Sequence, residues 1–499
     1  MARIAVIGAG TGAMAAAARL ATAGHRVTVY ERRETYGGAL GRFARDGFAF
    51  DTGPALLHLP AVWRDLFLKT GREPLEKAVS LSQVDPTARH LFADGTSVLL
   101  PDASRGGTVA ALDAALGGGA GERWGEFLGR ARVAWERSRR PLLEEPLPAD
   151  VSALAARDPY PALKQGLLRR RTRTLADIGA RELRDPRLAA LLGSYAVSYG
   201  LDARTAPAAA AVLPYMEQTF GTWYPAGGLR ALADAVHERC LARRVEFVFG
   251  AEVEEVTVAD GRASGLVLAG GERIAADTVV SGAPLPALHG DQVVPWERQD
   301  EWPRWQSAVH TGRVRVLLAL RGARPADAVH RTVVHTPDPD AEWSAVAAGR
   351  APERPTVTVL RPDDPLLRPD DAHETVTLTA TVPARLADGT PWAQAAEALA
   401  DRMTAAAGTA VPGLRGRTLW REVLTPDDTR AATGTPVVPP PALPGVAGAL
   451  LPASNSAPLP GLFLAGGWSH PGGGLAHTGM SGALVAGLVV EGADFRGSQ

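Results

Sequence analysis

The chain has 499 residues, with 53 basic and 54 acidic side chains, and a net charge of −1 gives no electrostatic reason to expect a nucleic-acid partner. That length calls for two or three domains with a full apolar core. The one cysteine, Cys240, excludes an internal disulfide framework and cysteine-based metal ligation, and it fits a reducing, cytoplasmic compartment.

The first readable elements are an apolar run, Ile4 to Ile7, a turn Gly8-Ala9-Gly10-Thr11-Gly12-Ala13, an alanine-rich stretch ending near Ala23, and a second apolar run, Val27 to Tyr30, closing on Glu31. Strand, glycine turn, helix and strand in this order form a βαβ unit that holds a dinucleotide, with the pyrophosphate over the helix N-terminus. Gly8 permits the tight turn, Gly10 admits the phosphates, and Ala13 stands where the helix must lie close to the sheet. Glu31 is placed to accept hydrogen bonds from ribose hydroxyls. A carboxylate there repels the extra phosphate of NADP, which leaves NAD or FAD. A secretory signal is the competing reading of Ile4 to Ala18, but only Arg3 precedes it and glycines interrupt the apolar run.

Next come Arg32-Arg33-Glu34-Thr35-Tyr36-Gly37-Gly38 with Arg42 close behind, and then Phe50-Asp51-Thr52-Gly53-Pro54. A glycine pair just past the ribose acid, followed by a Phe-Asp-x-Gly-Pro turn, resembles the flavoproteins that include amine oxidases, phytoene desaturases and the Rab escort and inhibitor proteins. The resemblance implies that Gly37 and Gly38 bring backbone against a flavin nucleotide. With them it sets Thr11, Gly12, Arg32, Arg42, Gly53 and Pro54 along the cofactor. Asp51 is expected to brace its turn.

From Val109 to Arg173 the pattern is helical, and Trp124, Leu128, Ala131 and Trp135 fall on one core-facing side. Lys164, Arg169, Arg170, Arg171 and Arg173 surround Leu167 and Leu168. This amphipathic stretch is either a solvated face or a peripheral contact with anionic membrane. Helical pattern continues from Ala176 to Tyr199 with a break at Asp185-Pro186. Tyr224-Pro225-Ala226-Gly227-Gly228, ahead of a helix from Leu229 to Leu241, resembles the hinge of phytoene desaturases, and Glu217 just before it is by analogy a candidate catalytic acid. Val245 to Phe249 reads as a strand. A meander of strands follows around Asp260-Gly261 and ends at Thr278 to Ser281, and in the family it covers the adenine, with Val253 touching the base through its backbone. Period-two runs at Val314 to Val316, Thr356 to Val359 and Thr375 to Leu378 predict a largely antiparallel sheet, with one helix from Trp392 to Ala407.

The C-terminal stretch Gly461-Leu462-Phe463-Leu464-Ala465-Gly466-Gly467-Trp468-Ser469-His470-Pro471-Gly472-Gly473-Gly474 runs a strand into a glycine-crowded turn and then a helix, so a second set of backbone N–H groups converges on a ligand. It resembles the matching motif of bacterial phytoene desaturases and related carotenoid-modifying flavoenzymes. In that family the segment lies along the isoalloxazine, which implies flavin contacts from Gly466, Gly467, Trp468, His470, Gly473 and Gly474. His470 is also a candidate for handling a proton. Three departures from the family pattern stand out: Ala13 for a third glycine, Tyr36 for a proline, and Ala453-Ser454-Asn455 in a stretch expected to approach the reaction centre.

The fold class expected is therefore α/β. A discontinuous Rossmann-like FAD-binding domain (1–70, 226–290 and 446–499) is joined to a mixed or antiparallel sheet domain for substrate (71–105 and 291–445) and a helical cover (106–225). Neither a histidine set with metal-ligand spacing nor a Gly-x-Ser-x-Gly elbow is present. No second dinucleotide turn is seen either, so electrons are expected to pass to an outside acceptor, oxygen or a quinone. The expected activity is FAD-dependent desaturation of a long apolar isoprenoid, with non-covalent FAD because Cys240 is remote from the flavin motif. The sequence shows no charged cluster of the kind a polar substrate would need. The alternatives are a flavin amine oxidase or other dehydrogenase, a related saturase or isomerase, and a non-enzymatic lipid-binding protein of the Rab inhibitor type.

Overall fold

The computed structural model describes residues 1–163, 172–284, 310–445 and 449–497. Five parallel strands form its first sheet, in the order Glu246–Phe249, Arg26–Glu31, Arg3–Ile7, Thr278–Ser281 and Leu462–Leu464. Val6 lies between Val29 and Val280, and all three are buried, as expected for a parallel sheet covered on both faces. The helix Thr11–Thr22 packs between this sheet and two later helices, Leu229–Ala242 and Leu475–Glu491. Its alanine content follows from that crowding: Ala15, Ala16, Ala17 and Ala18 are fully buried, and a Cβ on Gly482 would lie 2.6 Å from the carbonyl oxygen of Gly12.

The second sheet has seven strands, in the order Thr418–Leu424, Thr311–Arg321, His373–Pro383, Val357–Leu360, Arg331–Val334, Ala88–Leu91 and Ser97–Leu100. It is antiparallel except where Arg331–Val334 runs parallel to Ala88–Leu91. Alternation along Thr311–Arg321 sorts its side chains. Val314, Val316, Leu318 and Leu320 pack on Leu399, Ala400 and Met403 of the helix Trp392–Ala407, while Leu317 and Ala319 meet Phe48 and Phe50 on the other face. Arg313 and Arg315 share that second face.

The helical pattern read from Val109 onward is interrupted twice. Gly117 and Gly119, with φ of +98° and +81°, separate Arg105–Leu116 from Ala120–Arg139. The second helix then ends in a π-turn, Arg140–Glu144, before Pro146 and Pro148. Trp124, Leu128, Ala131 and Trp135 are buried together against Leu188, Leu191 and Tyr195. Asp185 caps Pro186–Ser198 by accepting from the Arg187 N–H at 2.8 Å, which explains the break at Asp185-Pro186. The meander consists of Val253–Ala259, Arg262–Leu268 and Arg273–Ala275, with Asp260 and Gly261 both at positive φ in the hairpin turn. Lys164, Arg169, Arg170 and Arg171 lie outside the described residues. Among those described, no helix is long and apolar enough to cross a membrane.

Candidate functional site

Between the two sheets lies a cavity of about 1560 Å³, reached by both glycine turns. At the first, Gly8 turns the chain with φ of +84° and Gly10 precedes the helix Thr11–Thr22 without a side-chain cap, so its leading N–H groups are left for a ligand. A Cβ on Gly10 would meet no protein atom within 4 Å. Gly12 differs: its Cβ would fall 2.8 Å from the Cα of Gly466 and 2.9 Å from Thr478, so this glycine lets the two turns touch. Gly8, Gly10, Thr11, Gly12 and Ala13 all line the cavity. Glu31 lines it too, and backbone N–H groups hold its carboxylate: Ala9 donates to Oε2 at 2.7 Å and Arg33 to Oε1 at 3.0 Å.

The Gly37-Gly38 pair divides its work. Gly38 lines the cavity, and a Cβ there would lie 3.1 Å from the Gly10 Cα. Gly37 does not reach the cavity; its N–H donates to the Ala9 carbonyl at 2.8 Å and its own φ is +104°. The expectation of direct cofactor contact at Gly37 is thus corrected: this glycine holds the first turn in shape. Arg32, Arg42, Gly53, Pro54 and Val253 line the cavity. Gly53 is required by the protein itself, since a Cβ there would overlap the Ala39 carbonyl at 1.9 Å. Asp51 caps the helix Leu229–Ala242, accepting from Leu229 at 2.8 Å and Arg230 at 3.1 Å, and burial raises its pKa to about 6. Tyr36 stacks on His237 with ring centres 3.8 Å apart, under the Arg230 guanidinium at 4.4 Å.

At the C-terminal turn, Gly466, Gly467, Trp468, Gly473 and Gly474 line the cavity, and Gly474 opens the helix Leu475–Glu491 with no side-chain cap. Two helix N-termini therefore face one cavity. His470 is not brought to it. Its ring is fully buried, with Nε2 2.9 Å from the Glu145 carbonyl beyond the π-turn. Burial pushes its pKa down to about 4, so the ring is neutral and Nε2 donates. His470 is thus placed as a brace of the turn and does not line the cavity. Asn455 is a second brace, donating through Nδ2 to the carbonyls of Leu464 at 3.0 Å and His470 at 2.7 Å. Ala453, Ser454 and Asn455 do not line the cavity, contrary to the expected approach of that stretch to the reaction centre.

Glu217 does reach the cavity wall, but as half of an ion pair. Both its oxygens bind the Arg331 guanidinium, and His58 Nε2 is 3.5 Å away. Burial alone would raise its pKa; Arg331 and His58 outweigh that and hold the carboxyl below its usual value. A carboxylate so committed is a counter-ion to Arg331 and a poor proton donor. The sequence reading missed the residues around it: Tyr199 and His477 on the wall, and Arg313, Arg315, Thr358, Thr379 and Thr381 on the sheet floor. This floor overturns the expected lack of a charged cluster. Its signal was present in the alternation of Arg313, Val314, Arg315 and Val316, but which face of the strand meets the cavity is a tertiary matter. Cys240 is buried in its helix with Sγ 3.3 Å from the Met14 carbonyl, and it does not line the cavity. No group of three potential metal ligands occurs among the described residues.

A parallel sheet carrying two glycine turns over a second, largely antiparallel sheet is the architecture of flavin-dependent oxidoreductases of the amine oxidase-like class. The chain belongs to the flavin-containing amine oxidoreductase family, whose sequence model matches residues 14–490. It is 30% identical over 493 residues to hydroxyneurosporene desaturase of Cereibacter sphaeroides, an alignment covering 97% of this chain and 96% of that one. It is 28% identical over 514 residues to 4,4'-diapolycopene oxygenase of Methylomonas sp., covering 98% of each. A crystal structure of an oxidoreductase from Methanosarcina mazei shares the fold, with a TM-score of 0.66 at 17% identity over 97% of this chain and 99% of the other. The protein is an FAD-dependent oxidoreductase of the carotenoid desaturase type.

Proposed function

We propose that the chain binds FAD non-covalently across the two glycine turns and oxidises a long isoprenoid, carotenoid-like substrate held against the floor of the second sheet. The observation that carries this is the single cavity: at about 1560 Å³ it exceeds the roughly 300–1,000 Å³ of a site for one small ligand, and it runs from the first turn to the floor. The residues present fit the cofactor. The uncapped N-terminus at Thr11 and the bare Gly10 suit a pyrophosphate, and Glu31 keeps lone pairs for a ribose. Val253 offers backbone to the base. Gly466, Gly467, Trp468, Gly473 and Gly474 border the ring's place, with a helix N-terminus to favour negative charge there. When bound, the flavin supplies an acceptor for a hydride taken from substrate carbon. The protein's part is to orient the chain and exclude water, for which Leu59, Met216 and Tyr199 form apolar walls.

The test is anaerobic mixing of the holoenzyme with phytoene or a partly desaturated carotene. The expected result is bleaching of the oxidised flavin with extension of the polyene absorption, and recovery of the flavin on adding a quinone or oxygen. All flavin should leave the protein on acid precipitation. Rapid bleaching by an amine, with none by any isoprenoid, would overturn the substrate class. Flavin retained on the denatured pellet would overturn non-covalent binding.

A further inference from the structure

The floor of the cavity is built for more than a hydrocarbon. Arg313 and Arg315 stand two residues apart on the cavity face of Thr311–Arg321, opposite Thr381 and Thr379 respectively in the antiparallel ladder, and Thr358 of the next strand pairs with Thr379. All five side chains line the cavity.

Two other arginines close to this floor have carboxylate partners: Arg331 binds Glu217, and Arg361, just past the strand Val357–Leu360, binds Glu374 at 2.7 Å. The pair on the floor does not. Arg313 donates to the backbone carbonyls of Val197 at 2.8 Å, Ser198 at 2.9 Å and Gly312 at 3.2 Å, acceptors that leave its charge uncompensated. The Arg315 side chain has neither a hydrogen bond nor an ion pair among the described residues, and it is partly exposed and lines the cavity. Thr358 and Thr379 likewise have no side-chain hydrogen bond there, whereas Thr381 donates to the Val197 carbonyl at 3.2 Å. Burial lowers the Arg313 pKa to about 9, with the neighbouring Arg315 charge adding to the effect, and lowers Arg315 to about 10. Both stay cationic at neutral pH. Two adjacent, desolvated positive charges without an anion are costly, and the cost falls when an occupant supplies the anion.

We infer that Arg315, with Thr358 and Thr379 beside it and Arg313 behind it, receives a carboxylate carried at one end of the substrate's apolar chain. This assignment rests on the polyene-oxidising reading and narrows it to a substrate class: an isoprenoid acid. Guanidinium and carboxylate match in geometry as well as charge, and the threonine hydroxyls can donate to the remaining lone pairs. The floor is then a specificity device that sets the register of the chain along the cavity.

The experiment uses the holoenzyme and two polyenes of equal length, all-trans retinoic acid and its methyl ester, titrated while the visible spectrum of the bound flavin is followed. The acid is expected to bind at least about tenfold tighter than the ester, the scale of one charge-assisted hydrogen-bonded contact. Arg315→Met should collapse that ratio to near one, and Arg315→Lys, which keeps the charge, should retain part of it. Flavin content should match the wild type in both variants. Equal binding of acid and ester by the wild type, or a preference that survives in Arg315→Met, would overturn the carboxylate site and leave the polyene reading standing. Loss of flavin from otherwise folded Arg315→Met would assign the arginine to the cofactor and overturn the site as well. If neither probe binds, the polyene reading falls and this inference falls with it.

Discussion

Two glycines of one motif, Gly10 and Gly12, do different things. A Cβ on Gly10 points into open cavity, while one on Gly12 runs into Gly466 and Thr478. Gly10→Val is therefore expected to fold with near wild-type stability and to bind no flavin, because the new side chain would occupy the place proposed for the pyrophosphate. Gly12→Val should instead lose stability by at least about 1–3 kcal/mol, the cost of overpacking, whether or not flavin is supplied. Thermal denaturation together with the ratio of visible to ultraviolet absorbance separates the two outcomes. Equal behaviour of the two variants would show that the turn acts only as a packing joint. The same distinction explains Gly37 and His470: both belong to cofactor-motif strings, and both support the turn from behind.

Among the elements, the helix Val212–Phe220 is tied to the strand Arg331–Val334 by Glu217 and Arg331, with side chains only 8% and 14% exposed. Helix and sheet meet at the cavity wall, so this pair helps set how the helical layer sits on the floor. Glu217→Gln should cost on the order of 3–5 kcal/mol, because it strands the Arg331 charge in a poorly solvated place. The double variant Glu217→Gln with Arg331→Met should recover much of that loss, since it removes both charges together. Urea denaturation of the two single variants and the double completes the cycle. Strict additivity of the single losses would mean that the pair is not coupled.

At the scale of the whole molecule, several ionisable groups are buried in their neutral forms. Burial lowers His335 to about 3 and His330, His470 and His477 to about 4, against 6.5 for a free histidine. Between those limits the unfolded chain binds protons that the folded chain refuses, so stability falls as pH drops below about 6.5 and goes on falling towards pH 4. Asp51 and Glu342 oppose this, since burial raises them to about 6 and about 7 and the folded state then takes up protons first. Four histidines outweigh two acids. The net expected loss between pH 6.5 and 5.5 is on the order of 2 kcal/mol. Glu342→Gln removes one opposing group and should steepen the decline. Denaturation midpoints measured across this range check both statements, and a flat profile would rule out buried neutral histidines as the controlling groups.

Much of this protein was legible in order along the chain. The βαβ unit, the Asp-Gly hairpin, the helix Trp392–Ala407 and the strands around Val314, Val357 and Val376 are written in local periodicity, turn chemistry and capping, which depend on near neighbours only. The two glycine turns were legible for the same reason. The strands Arg331–Val334 and Thr418–Leu424 are short or lack a clean alternation, and their partners in the sheet stabilise them. Which side of a turn or strand faces the cavity was decided by tertiary packing. His470 and His477 lie within one C-terminal motif, yet the first is turned onto the Glu145 carbonyl and the second onto the cavity. Arg313 and Arg315 alternate with core valines, a pattern equally consistent with a solvated face. Only the docking of a second layer over that face, where Arg313 meets the Val197 and Ser198 carbonyls, encloses these charges.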